Sequence, residues 1–299
     1  VSGGAPGGSG GPEDGLTIRR IVVALDASAD SLAALEASAE LAAALGAELV
    51  GVYVEDVNVL RLAGRTAATE IDLLSGRRRS LGRRDLERQL RVQATRARRT
   101  LERTAGRRAV QWTFRTVRGR PSKELLAEAA DLITLGVRGH GPGRGPGSTV
   151  MRLLGTTGSP VLVTRRGATL GSSVFVLHDG DRSSDRAVET GARLALQRDA
   201  PLHVLMTPPA AGAGTPSGEG DADRAATLER VKGDVQRTVQ ALGGQLAVHA
   251  LWLPSPDPGD LLAALRHHRC GLLVLPRSGP MADLRLLLRQ AHCPVLVVD

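Results

Sequence analysis

Short apolar runs alternate along this chain with longer stretches whose apolar residues recur every three or four positions. Runs near residues 20–25, 48–54, 109–117, 131–136 and 160–164 predict strands. They are apolar throughout rather than alternating, as parallel strands buried on both faces must be. Helical periodicity fills the gaps. Ser28 can cap a helix that runs to Leu45 and stops at Gly46. An Arg/Leu helix covers roughly 85–105, another starts at Pro121, and Ser148 caps a fourth. A second series of strands follows near 173–178, 202–206, 246–253, 271–275 and 294–298. Strand and helix in alternation predict a parallel sheet covered by helices on both faces.

The second series is a copy of the first. Ile21-Val-Val-Ala-Leu-Asp26 is answered by Val174-Phe-Val-Leu-His-Asp179, at an offset of 153 residues. Asp131-Leu-Ile-Thr-Leu-Gly136 is answered by Gly271-Leu-Leu-Val-Leu-Pro276 at 140, and Ser159-Pro-Val-Leu-Val-Thr164 by Cys293-Pro-Val-Leu-Val-Val298 at 134. The falling offset assigns the first copy 13 extra residues in mid-domain and six more in the loop after its fourth strand. The expected organisation is a disordered Gly/Pro/Ser-rich leader over 1–16, a first domain over 17–166 and a second over 172–299. The short linker predicts domains packed together.

Composition refines this picture. The chain has 299 residues, 42% of them hydrophobic but only 2% aromatic, so Ala, Val, Leu and Ile must build both cores. The net charge of +8 is local: residues 77–108 carry thirteen Arg against Asp85, Glu87 and Glu102, a net of +10, which leaves −2 elsewhere. Lys123 and Lys232 are the only lysines, and we read that bias first as genomic base composition. Cys270 and Cys293 make neither a disulfide framework nor a zinc site, which suits a reducing cytoplasm. No stretch approaches ~18 consecutive apolar residues, so no membrane span is expected.

The chemistry is concentrated after the fourth strand. Residues 136–147 hold six glycines and end where the helix at Ser148 begins. Glycine lets the backbone enter unusual conformations and lets a ligand approach closely. Successive N–H groups and a helix N-terminus then suit a phosphate. Ser148 and Thr149 add hydroxyls; Arg138 and Arg144 add charge. The ligand site of an open α/β sheet lies at the carboxyl ends of the strands where the strand order reverses. Asp26, ending the first strand, would face ribose or base there, and Val54 would offer backbone to an adenine edge. Replacing Gly136 or Gly147 by a bulky residue should then remove binding and spare the fold. A flexible surface loop is the plainer alternative, and Pro142 and Pro146 remove two donors. Neither G-x-x-x-x-G-K-[ST] nor a first-strand G-x-G-x-x-G is present.

These residues resemble the universal stress protein family. Its ATP-binding members carry G-x2-G-x9-G-[ST] after the fourth strand and an Asp at the end of the first. Gly136, Gly139, Gly147 and Ser148 match, with seven residues in place of nine in the last gap. The resemblance implies two doubly wound five-stranded domains of the adenine-nucleotide alpha hydrolase type, strand order 3-2-1-4-5. It also implies a nucleotide site at Asp26, Val54, Gly136, Arg138, Gly139, Gly147, Ser148 and Thr149, holding ATP with or without Mg2+. The family's habit of pairing last strands across an edge implies a homodimer or an intrachain pseudo-dimer.

In the second copy Pro276 replaces the first glycine and Arg277-Ser278-Gly279 runs almost into the last helix, so no nucleotide is expected there. The expected function is an ATP-binding stress-response or regulatory protein. No general base stands out, so catalysis is at most weak ATP hydrolysis. The alternative is a scaffold whose basic 77–108 helix binds an acidic partner or nucleic acid. The sequence favours a solvated helix over nucleic acid, because that segment lacks stacking residues. His267 and His268 face different directions and have no third ligand, His140 reads as a solvent-facing loop residue, and Cys293 as a small buried hydrophobe.

Overall fold

The computed structural model describes residues 17–63, 69–71, 78–80, 82–139, 145–178, 182–207, 221–255, 257–277 and 284–299. The expected leader over 1–16 lies outside them, as do His140, Arg144, Asp179, Ser278 and Gly279. In the first half β1 (Arg20–Leu25), α1 (Ala29–Leu45), β2 (Glu48–Asp56), α2 (Val57–Ala63), β3 (Thr69–Ile71), β4 (Arg78–Ser80), α3 (Arg83–Gly106), β5 (Trp112–Gly119), α4 (Pro121–Leu126), β6 (Leu132–Gly136), α5 (Ser148–Thr156) and β7 (Val161–Thr164) follow in order. The second half comprises β8 (Val174–His178), α6 (Arg182–Gln197), β9 (Leu202–Met206), α7 (Asp221–Ala241), β10 (Val248–Trp252), α8 (Pro258–His267), β11 (Leu272–Pro276), α9 (Leu284–Gln290) and β12 (Val295–Val298). Helix α2 and the β3–β4 hairpin were not anticipated. The local cause of α2 is an Asx-type turn: Asp56 Oδ1 accepts the Asn58 N–H at 2.8 Å.

Ten of the strands form one sheet in the order β10-β9-β8-β11-β12-β7-β6-β1-β2-β5, and β3 and β4 pair separately. Each half taken alone has the order 3-2-1-4-5, the doubly wound arrangement. Within the ten-stranded sheet, all pairs inside a half are parallel. The halves meet where β7 and β12 run antiparallel, with Val163 opposite Val295 and Val161 opposite Val297. Two apolar cores lie on opposite faces of this sheet, and both cross the junction. Helices α1, α3, α6 and α7 cover one, while α4, α5, α8 and α9 cover the other. Strands β7, β11 and β12 are buried along their whole length, and β6 up to Gly136. At the far end β5 alternates partly buried and exposed residues, with Arg115 and Arg118 on it, as suits an edge.

Arginines brace the junction reciprocally. Arg277, after β11, donates to the Leu154 carbonyl near the end of α5 and to the Ser159 carbonyl at 3.0 Å, and pairs with Asp299. Arg165, after β7, donates to the Arg289 carbonyl of α9 at 2.9 Å. Each cation thus satisfies carbonyls at a helix C-terminus in the other half. Arg198 is buried and donates to Glu40 of α1 at 3.2 Å and to the Gly171 carbonyl at 2.8 Å. The linker is held tightly as well: a Cβ on Gly271 would lie 2.4 Å from the Gly171 carbonyl carbon.

A ring stack distinguishes the second half. Phe175, His203 and His249 sit opposite one another on β8, β9 and β10. Ring centroids are 4.3 Å apart for the first pair and 4.8 Å for the second. His268, at the C-terminus of α8, lies 6.4 Å from His203. Burial above all, then the neighbouring His249 and His268, pushes His203 down to about 4.

The unfolded chain therefore takes up this proton near pH 6.5 while the folded chain resists it. Stability should be full above 6.5 and fall as the pH drops towards about 4. His203 is only partly buried, so water screens the penalty and about 1–2 kcal/mol is expected. Urea unfolding at pH 7 and 4.5 measures this, and His203→Phe should flatten the difference. Removing the brace with Arg277→Ala strands two carbonyls and should cost about 1–3 kcal/mol, read from the same unfolding curves at pH 7.

Candidate functional site

Strand β1 lies between β2 and β6, so the order reverses at its side, and the crevice opens at the carboxyl ends of β1 and β6. Asp26 leaves β1 at that point. Ala27 follows with a left-handed φ of 64°, turning the chain sharply into α1. Ser28 caps α1, accepting the Ser31 N–H at 3.1 Å, and Asp26 Oδ1 accepts the Ser28 N–H at 2.9 Å. Gly46 ends α1 in the left-handed conformation. The β1–β2 register pairs Leu25 with Tyr53, so Val54 is the neighbour of Asp26 one step further on.

Across the crevice, Gly136 ends β6. A Cβ there would lie 2.6 Å from the Asp30 carbonyl carbon and 2.8 Å from the Ser31 nitrogen. Gly136 is therefore needed for the close packing of β6 against the start of α1. This corrects the expectation that a bulky residue there would spare the fold. Gly139 faces Asp26: its Cβ would sit 3.0 Å from Asp26 Oδ2. Gly147 closes the loop, donating its N–H to the Val137 carbonyl at 2.8 Å. A Cβ on Gly147 would meet nothing nearer than the Val137 oxygen at 3.8 Å, with the Gly139 nitrogen at 3.9 Å. Asp26, Gly139 and Gly147 thus converge, and Gly147 has room for a side chain.

Helix α5 begins at Ser148, as the sequence suggested, but Ser148 does not cap it. Gly147 is its N-cap, without a side chain to cap it, and Ser148 is its first helical residue. The first intrahelical bond runs from Met151 N–H to the Gly147 carbonyl. The amides of Ser148, Thr149 and Val150 have no acceptor among the described residues, as the start of an uncapped helix requires. Sequence reasoning made Ser148 the cap because serine is the commoner capping residue.

Arg138 points differently from the expectation of an uncommitted cation. Its Nε donates to Asp30 Oδ2 at 3.2 Å, while Asp30 Oδ1 accepts the Arg166 N–H at 2.7 Å. Asp30 is buried at 4% exposure, so its charge is satisfied by these bonds. It ties the glycine loop to the start of the interdomain linker. The sequence offered only an acid in the first turn of a helix as a signal for this role.

Two further pairs at the carboxyl ends of β2 and β5 were missed. Glu55 accepts two bonds from Arg118, at 2.9 and 2.7 Å, and this contact raises the guanidinium pKa. Tyr53, the only tyrosine, donates to Gln93 Oε1 of α3 at 2.9 Å. Burial first, then the charges of Glu55 and Asp26, pushes its hydroxyl up to about 12. No cluster of three His, Cys, Asp or Glu positioned for a metal occurs among the described residues. No helix among them is long and apolar enough to cross a membrane.

In the second half the counterpart of the glycine loop is residues 277–283, against 137–147 in the first. The counterpart of Val137 is Arg277, drawn into the interdomain brace.

A family model described as the universal stress protein family matches residues 17–165 and again 172–299. A universal stress protein from Archaeoglobus fulgidus DSM 4304 is similar in structure over 94% of this chain and 98% of its own, with a TM-score of 0.64 and 16% identity. A putative universal stress protein from Pseudomonas aeruginosa UCBPP-PA14 is similar over 95% and 94%, with a TM-score of 0.54 and 16% identity. At these identities the likeness is one of fold. Comparison with curated protein sequences gives no match.

The two glycines should separate in a thermal melt. Gly136→Ala must push α1 from β6 and is expected to cost about 1–3 kcal/mol. Gly147→Ala meets no close atom and should cost only the poorer N-cap, about 0.5–1 kcal/mol, lowering the melting temperature by no more than about 3 °C.

Proposed function

The chain belongs to the universal stress protein family, and on that premise we propose that its first domain binds ATP, with or without Mg2+, while the second binds no nucleotide. The observation that carries this reading is the meeting of Asp26, Gly139 and Gly147 beside three unbonded amides at the start of α5. An anion is stabilised by such amides and by the positive end of the helix dipole. In this reading the Ser148 and Thr149 amides and hydroxyls hold phosphate oxygens. Gly139 and Gly147 admit the chain of phosphates because they carry no side chain. The Asp26 carboxylate takes a ribose hydroxyl, and the Val54 backbone borders the base. Arg138 adds positive potential from its place on Asp30. Any magnesium arrives with the phosphates.

The role that follows is regulatory: nucleotide binding stiffens the glycine loop, and a partner reads the result. Turnover, if it occurs, is slow, because no side chain among the described residues is placed as a general base. The second domain acts as a packing partner whose Arg277 serves as a structural brace. Cytoplasmic work suits this reading.

Calorimetry of the full chain with ATP and Mg2+ tests it. Heat of binding and a rise in melting temperature are expected from the parent chain. Gly147→Val should lose the heat while its melting temperature without ligand stays within a few degrees of the parent, the cost of a poorer N-cap. Asp26→Ala should weaken binding by about 5- to 30-fold. A parent chain that gives neither heat nor thermal shift would overturn the proposal.

A further inference from the structure

The basic helix is the one sequence feature that the nucleotide site leaves unused. Helix α3 packs through Leu86, Leu90, Ala94, Ala97, Leu101 and Ala105, all buried. Spacings of three and four residues put these on one side. The opposite side carries Arg84, Arg88, Arg91, Arg96, Arg98, Arg99 and Arg103, all exposed, against two exposed acids, Asp85 and Glu102. Asp85 lies 3.8 Å from Arg88. The other six arginines form no ion pair among the described residues. The face from Arg84 to Arg103 is roughly 28 Å long at 1.5 Å per residue. It also stands at the free edge of the sheet, beside β2 and β5, away from the interdomain junction.

We infer that this outer face of α3 docks the sugar-phosphate backbone of duplex nucleic acid without reading its sequence. The chemistry of the face selects that partner. A protein interface needs an apolar centre with aromatic or aliphatic anchors. The only exposed large hydrophobic residue of α3 is Val92, and the face has no aromatic ring. An acidic protein would therefore find charge and little to bury. Single strands are bound through stacking on aromatic rings, and none is present. A duplex keeps its bases paired and presents two rows of phosphates, for which guanidinium groups in regular spacing suffice. The sequence weighed against nucleic acid because stacking residues are missing. That objection bears on single strands only, and the structure adds that six guanidinium groups are left without carboxylate partners.

The test is fluorescence anisotropy of the full chain with 20-base-pair duplexes of unrelated sequence, as DNA and as RNA, over a series of salt concentrations. Binding that is indifferent to sequence is expected, with log affinity falling against log salt at a slope of about −3 to −5. The triple variant Arg91→Gln, Arg96→Gln, Arg99→Gln should lose roughly 10- to 100-fold in affinity and flatten the slope by about 3. The same three positions as lysine keep the charge and should stay within about threefold of the parent. These positions are exposed, so circular dichroism and melting temperature should be unchanged in both variants. Gly147→Val should bind duplex as the parent does, which separates this result from that of the nucleotide site. Absence of binding to either duplex at 50 mM salt would overturn the inference. So would a glutamine variant that binds like the parent, or a polyglutamate chain of equal charge that outcompetes duplex.

Discussion

The antiparallel pairing of β7 with β12 is the interaction on which the rest of the molecule depends. Each half, folded alone, would end in a strand with apolar side chains on both faces and a row of unpaired amides along its edge. Such an edge invites association with other chains. Joining the two edges satisfies both at once and makes ten strands into one sheet. The apolar cores then run across the junction on both faces. Burial and backbone hydrogen bonding therefore act in the same place, and the linker need only be short.

That junction explains how the two copies diverged. A parallel α/β half can use the loop after its fourth strand either to meet a ligand or to meet its neighbour. In the first half the loop is long and glycine-rich, and its ends close on each other through Gly147 and Val137. In the second half the same place holds Arg277, which reaches back to carbonyls near the end of α5. Helix α5 is thus held at its C-terminal end by the second half, while its N-terminal amides stay open. One half carries the binding geometry and the other fixes the helix that supplies it. Asp30 makes a second such tie, joining Arg138 of the loop to the backbone of Arg166. Both ties depend on charged groups meeting backbone dipoles, a pairing strong enough to survive burial.

Much of this was legible beforehand, for local reasons. Strand positions followed from apolar runs, since a strand buried on both faces cannot hide its pattern. The limits of α1 followed from Ser28 and Gly46, whose preferences act within one turn of helix. The strand order followed from the resemblance to a known family. What stayed illegible depended on contacts between distant residues. Gly136 looks in the sequence like one more loop glycine, yet the space it preserves belongs to Asp30 and Ser31. Arg138 looks like a loop cation, yet a buried carboxylate 108 positions away holds it. The tyrosine hydroxyl on Gln93 and the Glu55–Arg118 pair had no sequence signal beyond residue type.

The sequence by itself determined the alternation of strands and helices, the duplication, the glycine loop in one copy and its loss in the other. These are set by short-range preferences and by the spacing of apolar residues, which any reader of the chain can count. Only the tertiary structure decided which glycine the fold needs and which amides stay open, because those depend on how closely β6 approaches α1 and where α5 starts. It also decided that Arg277 and Arg165 brace opposite halves and that six exposed arginines of α3 have no carboxylate partner among the described residues. Distances between residues far apart in the chain settle such matters, and they exist only once the sheet has closed across β7 and β12.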